Sequence, residues 1–402
     1  MENELKKTHQ YHLDSLRGIA ALVVVLTHYI GAFFPYSVVG KQGEYQQHYL
    51  FEDLFFYPPL GLMTAGHMAV CLFFILSGYV LSYNYLGEAR NVKKLTGAIL
   101  KRPIRLAGVV LCTLIISAFL WRGGLYFNEQ LADVSSSKPW FFSLWKGHLS
   151  IKEFLINISS SLFEKAAKYN VSLWTIQVEL YGSILVFLTL FFCSNFKYRW
   201  LIFAALILIL VKSFYQGFFL GILIADLVKH KPICLSVRLK KNMAFFFGGA
   251  FLYLGGYPHY ANIEYINSTV YHFLPADTGY DGGYPMLAAL FLFCFICLHD
   301  KVKILLNMRL LKYLGEISYG VYGVHILVIG SLSAWLFLNL YKYIGYIPSF
   351  FVVLSSGLFV IICLAHLITV YVDKPAIKLA NFVARIFVEY FYLLLLKCKT
   401  FI

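Results

Sequence analysis

Apolar stretches of roughly 20 residues, the length needed to cross a hydrocarbon core, recur along the whole chain between short polar or charged links. They predict ten spanning helices, over 13–34, 62–86, 104–122, 171–194, 199–213, 215–229, 243–259, 284–300, 318–340 and 348–371. The fifth and sixth are short and separated only by Lys212, Ser213 and Phe214, so they read equally as a re-entrant pair. The expected fold class is all-α integral membrane, a bundle of about ten transmembrane helices. An even number of spans puts both ends of the bundle on the same side.

Charge sets the orientation. If both ends lie inside, the inner segments 1–12, 87–105, 195–199, 229–241, 301–312 and the tail hold 24 Lys and Arg, against 9 in the outer segments. Positive charge concentrates in cytoplasmic loops, so the expected topology is N-in/C-in. The outer segments 122–170 and 259–283 are long and read as loops. Residues 1–375 then form one polytopic membrane domain, and 376–402 a basic, partly apolar cytoplasmic or interfacial tail. Composition agrees: 60% of residues are hydrophobic and only 13% charged, about half the charged share of a soluble domain. The net charge of +14 gives no reason to expect nucleic acid, because no basic tract interleaves with exposed aromatics. The 37 Phe and 30 Tyr suit lipid-facing surfaces and interfacial belts. The eight cysteines lie in apolar runs or inner loops and predict no disulfide framework. Even Cys294-x-x-Cys297 falls inside the apolar run Leu290–Leu298 and reads as packing. No small-residue cleavage site follows the first apolar run, which therefore reads as a retained span.

Ionisable groups inside spans are costly and usually face a bundle interior. The first span carries Arg17 and His28, eleven residues apart. At about 100° per residue both project from one face, separated by about 17 Å along the axis, with Asp14 on the same side. Alone, Arg17 would pass for a snorkelling anchor and His28 for a core histidine; together they point to a functional face. Glu179 lies about two turns into a span entering from the outer surface, at a depth that could meet His28. A carboxylate there would orient the imidazole. His325 is a candidate for lining the same cavity, His366 reads as structural, and His67 is left open. Lys101, Arg102 and Arg105 precede the third span and serve the inside signal, yet two arginines three apart can also grip phosphates. Without a Walker loop or a dinucleotide fingerprint, a phosphate ligand would be held by side chains.

Five short motifs occur in order. They are the opening Leu13-Asp14-Ser15-Leu16-Arg17-Gly18-Ile19-Ala20, then Phe73-Phe74-Ile75-Leu76-Ser77-Gly78-Tyr79, then Arg102-Pro103-Ile104-Arg105. Trp174 through Glu179 and Leu314 through His325 complete the set. In these the chain resembles, from end to end, the membrane acyltransferase-3 family of integral membrane enzymes that O-acylate sugars, lipids and peptidoglycan. One departure is that the serine usually following the tryptophan is displaced, so Ser172 takes no role from the resemblance. Some relatives carry a C-terminal extracytoplasmic hydrolase-like domain. No Gly-Asp-Ser block follows the tenth span here, so the acceptor is expected to be reached by the membrane domain itself or through a separate extracytoplasmic partner.

The resemblance implies transfer of an acyl group, most often acetyl, from cytoplasmic acyl-CoA to a hydroxyl of an extracytoplasmic or lipid-linked carbohydrate. It implies an integral, multi-pass location in a bacterial inner (plasma) membrane. Acyl-CoA is expected as donor substrate, with membrane lipid around the bundle, no permanently bound cofactor, no metal and no nucleic acid partner. The residue pattern fits such a transfer, with phosphates at Arg102, Arg105 and Lys101, the thioester arm passing Arg17, and His28 deeper on the same face. His28 would activate the acceptor hydroxyl or become transiently acylated, with Glu179 or Asp14 orienting its ring. Ser77, Tyr79, Tyr319 and His325 are expected to line the cavity. The rival reading is a transporter or flippase of a lipid-linked saccharide, which would also bury titratable groups.

Overall fold

The computed structural model describes residues 10–43, 45–87, 92–147, 150–164, 168–230, 236–277 and 281–399, with side-chain surroundings up to residue 390. All regular structure among the described residues is helical. A helix coincides with each of the ten predicted spans. In chain order these are α1 (Tyr11–Phe33), α2 (Gly66–Tyr83), α3 (Val92–Arg122), α4 (Trp174–Cys193), α5 (Arg199–Ile209), α6 (Tyr215–His230), α7 (Val237–Leu254), α8 (Gly283–Leu298), α9 (Arg309–Ile344) and α10 (346–399). Six of them, α1 to α4, α9 and α10, are long and apolar enough to cross a membrane; α5 and α8 are apolar but shorter. At 1.5 Å per residue α5 is only about 17 Å long, well short of a ~30 Å hydrocarbon core. It folds back on α6 as a hairpin whose open end is tied by Arg199 and Asp226 at 2.6 Å.

Several boundaries differ from the sequence reading. α3 begins at Val92 rather than 104, so Lys101, Arg102 and Arg105 lie within a helix instead of before it. Lysine and arginine are good helix formers, but they lower local hydropathy and so hide the first three turns. α10 runs through the expected boundary at 375 without a break. Its Ala380, Ala384 and Val388 are buried, and Ala376 and Val388 approach Gly108 and Gly97 of α3, so the first part of the expected tail packs along that helix; residues 400–402 lie outside the described set. The expected outer loop 122–170 contains two helices, Asn128–Ser135 and Ile151–Ser160.

The interior is built around α1, which packs chiefly against α9 and also against α2. The outer faces are apolar: Phe119, Phe192, Leu208, Phe245 and Phe359 are each at least two-thirds exposed. Such a surface would be a liability in water and is what a lipid solvent requires. α1 and α9 cross at two glycines. A methyl group on Gly18 would sit 2.6 Å from the Gly315 nitrogen, and one on Gly315 would sit 2.4 Å from the Asp14 carbonyl. Nothing larger than hydrogen fits there, and this close crossing carries the two helices side by side toward His28 and His325. Gly315→Ala should therefore force the helices apart, costing about 1–3 kcal/mol. The check is the melting temperature of the purified protein in detergent, and an unchanged value would mean that the crossing is looser than described.

Candidate active site

The end of the bundle where α1 begins holds a cavity of about 720 Å³, within the range of small-molecule sites. Tyr11, Asp14 and Arg17 of α1 line it, together with residues of α2, α3, α4, α9 and α10. Six cationic side chains reach it, Arg17, Arg102, Arg105, Arg309, Lys312 and Lys374, against four carboxylates, Asp14, Glu179, Glu316 and Asp373. Ion pairs between Lys374 and Glu316 at 2.5 Å and Arg17 and Asp14 at 4.0 Å hold part of that charge in place. Lys312 stands over the ring of Tyr11, 4.5 Å from its centre.

Glu179 does not meet His28. Its carboxylate pairs with the Arg102 guanidinium, which reaches it from α3, and Arg17 and Arg105 lie within electrostatic reach of the same pair. Arg102 is only 7% exposed, yet its Nε makes no hydrogen bond among the described residues, and neither does the buried Oδ1 of Asp373. Among the described residues, the cavity wall thus holds a buried unmatched donor and a buried unmatched acceptor. Of the residues expected to line it, Ser77 and Tyr319 do so, and the Tyr319 hydroxyl is fixed by the Leu106 carbonyl at 2.8 Å. Tyr79 does not: it is packed between Tyr83 and Phe293 in the core. Lys101, for all its proximity in sequence to Arg102, is not among the lining residues.

His28 and His325 lie beyond the inner end of this cavity and face each other. His325 Nε2 is 3.2 Å from His28 Nδ1, and the ring centres are 4.9 Å apart. The hydrogen-bond partners decide the protons. His325 Nδ1 lies 2.8 Å from the Tyr322 carbonyl and 3.2 Å from that of Val321; carbonyls only accept, so Nδ1 donates and Nε2 carries a lone pair. His28 Nδ1 lies 2.9 Å from the Val24 carbonyl and likewise carries its proton, shared between that carbonyl and His325 Nε2. The lone pair of His28 is thereby left on Nε2, which makes no hydrogen bond among the described residues. This is a base held in one tautomer, with a histidine where the carboxylate was expected. Trp140, anchored through its indole N–H to the Gly31 carbonyl at 3.2 Å, lies 6.0 Å from the His28 ring. Just past His325, α9 carries a π-helical turn over Ile329–Ser333, a distortion frequent at functional sites, and Ser333 there bonds Tyr29 at 2.8 Å.

Of the remaining histidines, His366 meets Tyr313 at 3.2 Å on an exposed face, and His67 stacks on His259 at 3.8 Å. Neither joins this site. Sequence reasoning missed Arg309, Lys312 and Lys374, which counted only toward orientation, and Asp373, Thr175, Tyr322 and Trp140. Two of these had a signal: Tyr322 is the second tyrosine of the Leu314–His325 motif, and Thr175 lies inside the Trp174–Glu179 motif.

Comparison with known proteins agrees with this architecture. The acyltransferase-3 family, described as an acyltransferase domain, matches residues 10–367. The O-acetyltransferase PaAT-1 of Phomopsis amygdali is 24% identical over 255 residues, which cover 56% of this chain and 50% of that relative. The match thus spans about half the length of that relative. No solved structure matches the chain. With the family match running from the start of α1 nearly to the end of the apolar part of α10, this multi-pass membrane protein belongs to the acyltransferase-3 family of acyl-transferring enzymes.

Proposed function

We propose that the protein is an O-acyltransferase of a plasma membrane, with about ten spans and both ends inside, that moves an acetyl group from cytoplasmic acyl-CoA to a carbohydrate hydroxyl on the outer face, the acceptor being free or lipid-linked. The observation that carries this reading is the cavity that begins among six cations at the start of α1 and ends one helical turn short of the His28–His325 pair. The excess of Lys and Arg in the segments on that side supports reading it as the cytoplasmic one. Phosphates fit the arginine-rich wall, which Arg17, Arg102 and Arg105 line together, and the thioester arm points inward past Arg17.

The reaction then balances simply. The acceptor oxygen attacks the thioester carbonyl and its proton passes to His28 Nε2. The C–S bond breaks with its electrons on sulfur, and the imidazolium returns the proton to the thiolate, leaving an O-ester and free CoA thiol. An acyl-histidine route uses the same lone pair as nucleophile, so the same tautomer serves both. His325 acts through His28: its Nε2 accepts from Nδ1 and favours the imidazolium.

Two tests follow. Membranes given labelled acetyl-CoA should release CoA thiol and gain a labelled ester; a transporter or flippase would do neither, and that outcome would overturn the proposal. As a positioning residue, His325 changed to Leu should lower kcat by about 10- to 100-fold with little change in donor KM, and His325→Gln, whose amide oxygen reaches the position of Nε2 and can still accept from His28 Nδ1, should recover part of the rate. Equal activity of the two variants would argue against the assigned role.

A further inference from the structure

The cavity stops short of the histidines for a specific reason. Its inner end is walled by Val70, Phe73, Thr175 and Tyr322. Thr175 of α4 donates to the Tyr322 hydroxyl of α9 at 2.9 Å, and both residues are only 7% exposed. The Tyr322 ring stands edge-on to Phe73, at 6.0 Å and 79°. Its main chain is pinned, because its carbonyl accepts from His325 Nδ1 at 2.8 Å and from Ser172 Oγ at 3.2 Å. The backbone is therefore fixed between cavity and histidine pair, and the side chain is the part free to yield.

We infer that Thr175 and Tyr322 are specificity-determining residues that close the inner end of the donor cavity and admit only a short acyl group to His28. The inference rests on the acyl-transfer reading above. A single neutral hydrogen bond is weak enough to open in each turnover, so the tyrosine ring can swing off Thr175 to pass an acetyl group. A longer acyl chain would need the volume that Thr175, Phe73 and Val70 occupy. Neither residue takes a proton in the chemistry; they decide what arrives.

The test uses membrane vesicles containing the full chain and their own acceptors, supplied with equal concentrations of labelled acetyl-CoA or hexanoyl-CoA and scored for alkali-labile labelled ester. Wild-type protein should strongly prefer acetyl. Thr175→Ala should reduce that preference by about tenfold or more, the scale at which pocket volume discriminates acyl methylenes, while still transferring acetyl. Thr175→Val, which keeps the volume and loses the hydroxyl, should keep the preference and change only the rate. Tyr322→Leu should widen the range further, and if that variant does not fold, Thr175→Ala decides alone. An unchanged preference in Thr175→Ala, with acetyl transfer intact, overturns the inference and leaves the acyl-transfer reading standing. Wild-type vesicles that transfer neither group overturn both.

Discussion

Replacing His28 by alanine is expected to lower acyl transfer by about 10²- to 10⁴-fold, the usual contribution of a positioned general base, with the protein still folded and inserted. The side chain is anchored by its own helix, Nδ1 to the Val24 carbonyl, and by His325, so its removal costs little packing. What disappears is the Nε2 lone pair, the group on the His28–His325 pair free to accept the hydroxyl proton or to attack the thioester. Donor binding should survive, because Arg17 lies about three turns from His28 along α1 and the other cations that would hold phosphates line a cavity that His28 does not. The measurement is a rate assay paired with acyl-CoA binding to the same preparation. Retained binding with lost turnover is the expected pattern, and full turnover would remove His28 from the chemistry.

The second large effect belongs to the Arg102–Glu179 pair. Both side chains are mostly buried, and Arg17 and Arg105 lie close enough to add like charge on the arginine side. Glu179→Ala would leave Arg102 uncompensated, which typically costs about 3–5 kcal/mol when one partner of a buried pair is removed. The yield of folded protein and its melting temperature should fall sharply. Arg102→Ala should do the same and also raise the donor KM. The informative variant is the double change Arg102→Met with Glu179→Leu. An apolar pair of similar volume can restore folding, but it cannot contact a phosphate, so stability should return while the donor KM stays high. Recovery of both would make the pair structural only. Arg105, exposed at the cavity mouth, should when changed to Ala raise KM without a loss of stability.

Much of this arrangement was legible from residue spacing. The period of α1 put Arg17, His28 and Asp14 on one face, and the alternation of apolar runs with basic links found every long helix. What spacing could not supply was pairing across the bundle. His28 finds His325 across 297 positions and Arg102 finds Glu179 across 77; depth alone made Glu179 the partner of His28, because nothing in one sequence shows that an arginine on α3 reaches the carboxylate first. Charge hid other features: the lysines and arginines that mask the first turns of α3 made a helix look like a loop, and those beyond 375 set off as a separate interfacial tail a segment that continues α10. Arg309, Lys312 and Lys374 read as orientation signals, and only the fold gathers them around one cavity. Trp140 sat in a segment that carried no periodic pattern at all.

A single path through His28, joining a cytoplasmic donor to an outer acceptor, makes transfer sided. The most direct test seals the protein in vesicles of known orientation, supplies labelled acetyl-CoA to the side that bears the start of α1, and locates the labelled ester. The expected result is ester on the opposite face or on lipid-linked acceptor, abolished in His28→Ala and absent when donor is supplied only to the other side. Transfer that is indifferent to the side of donor addition, or that persists undiminished in His28→Ala, would contradict such a path.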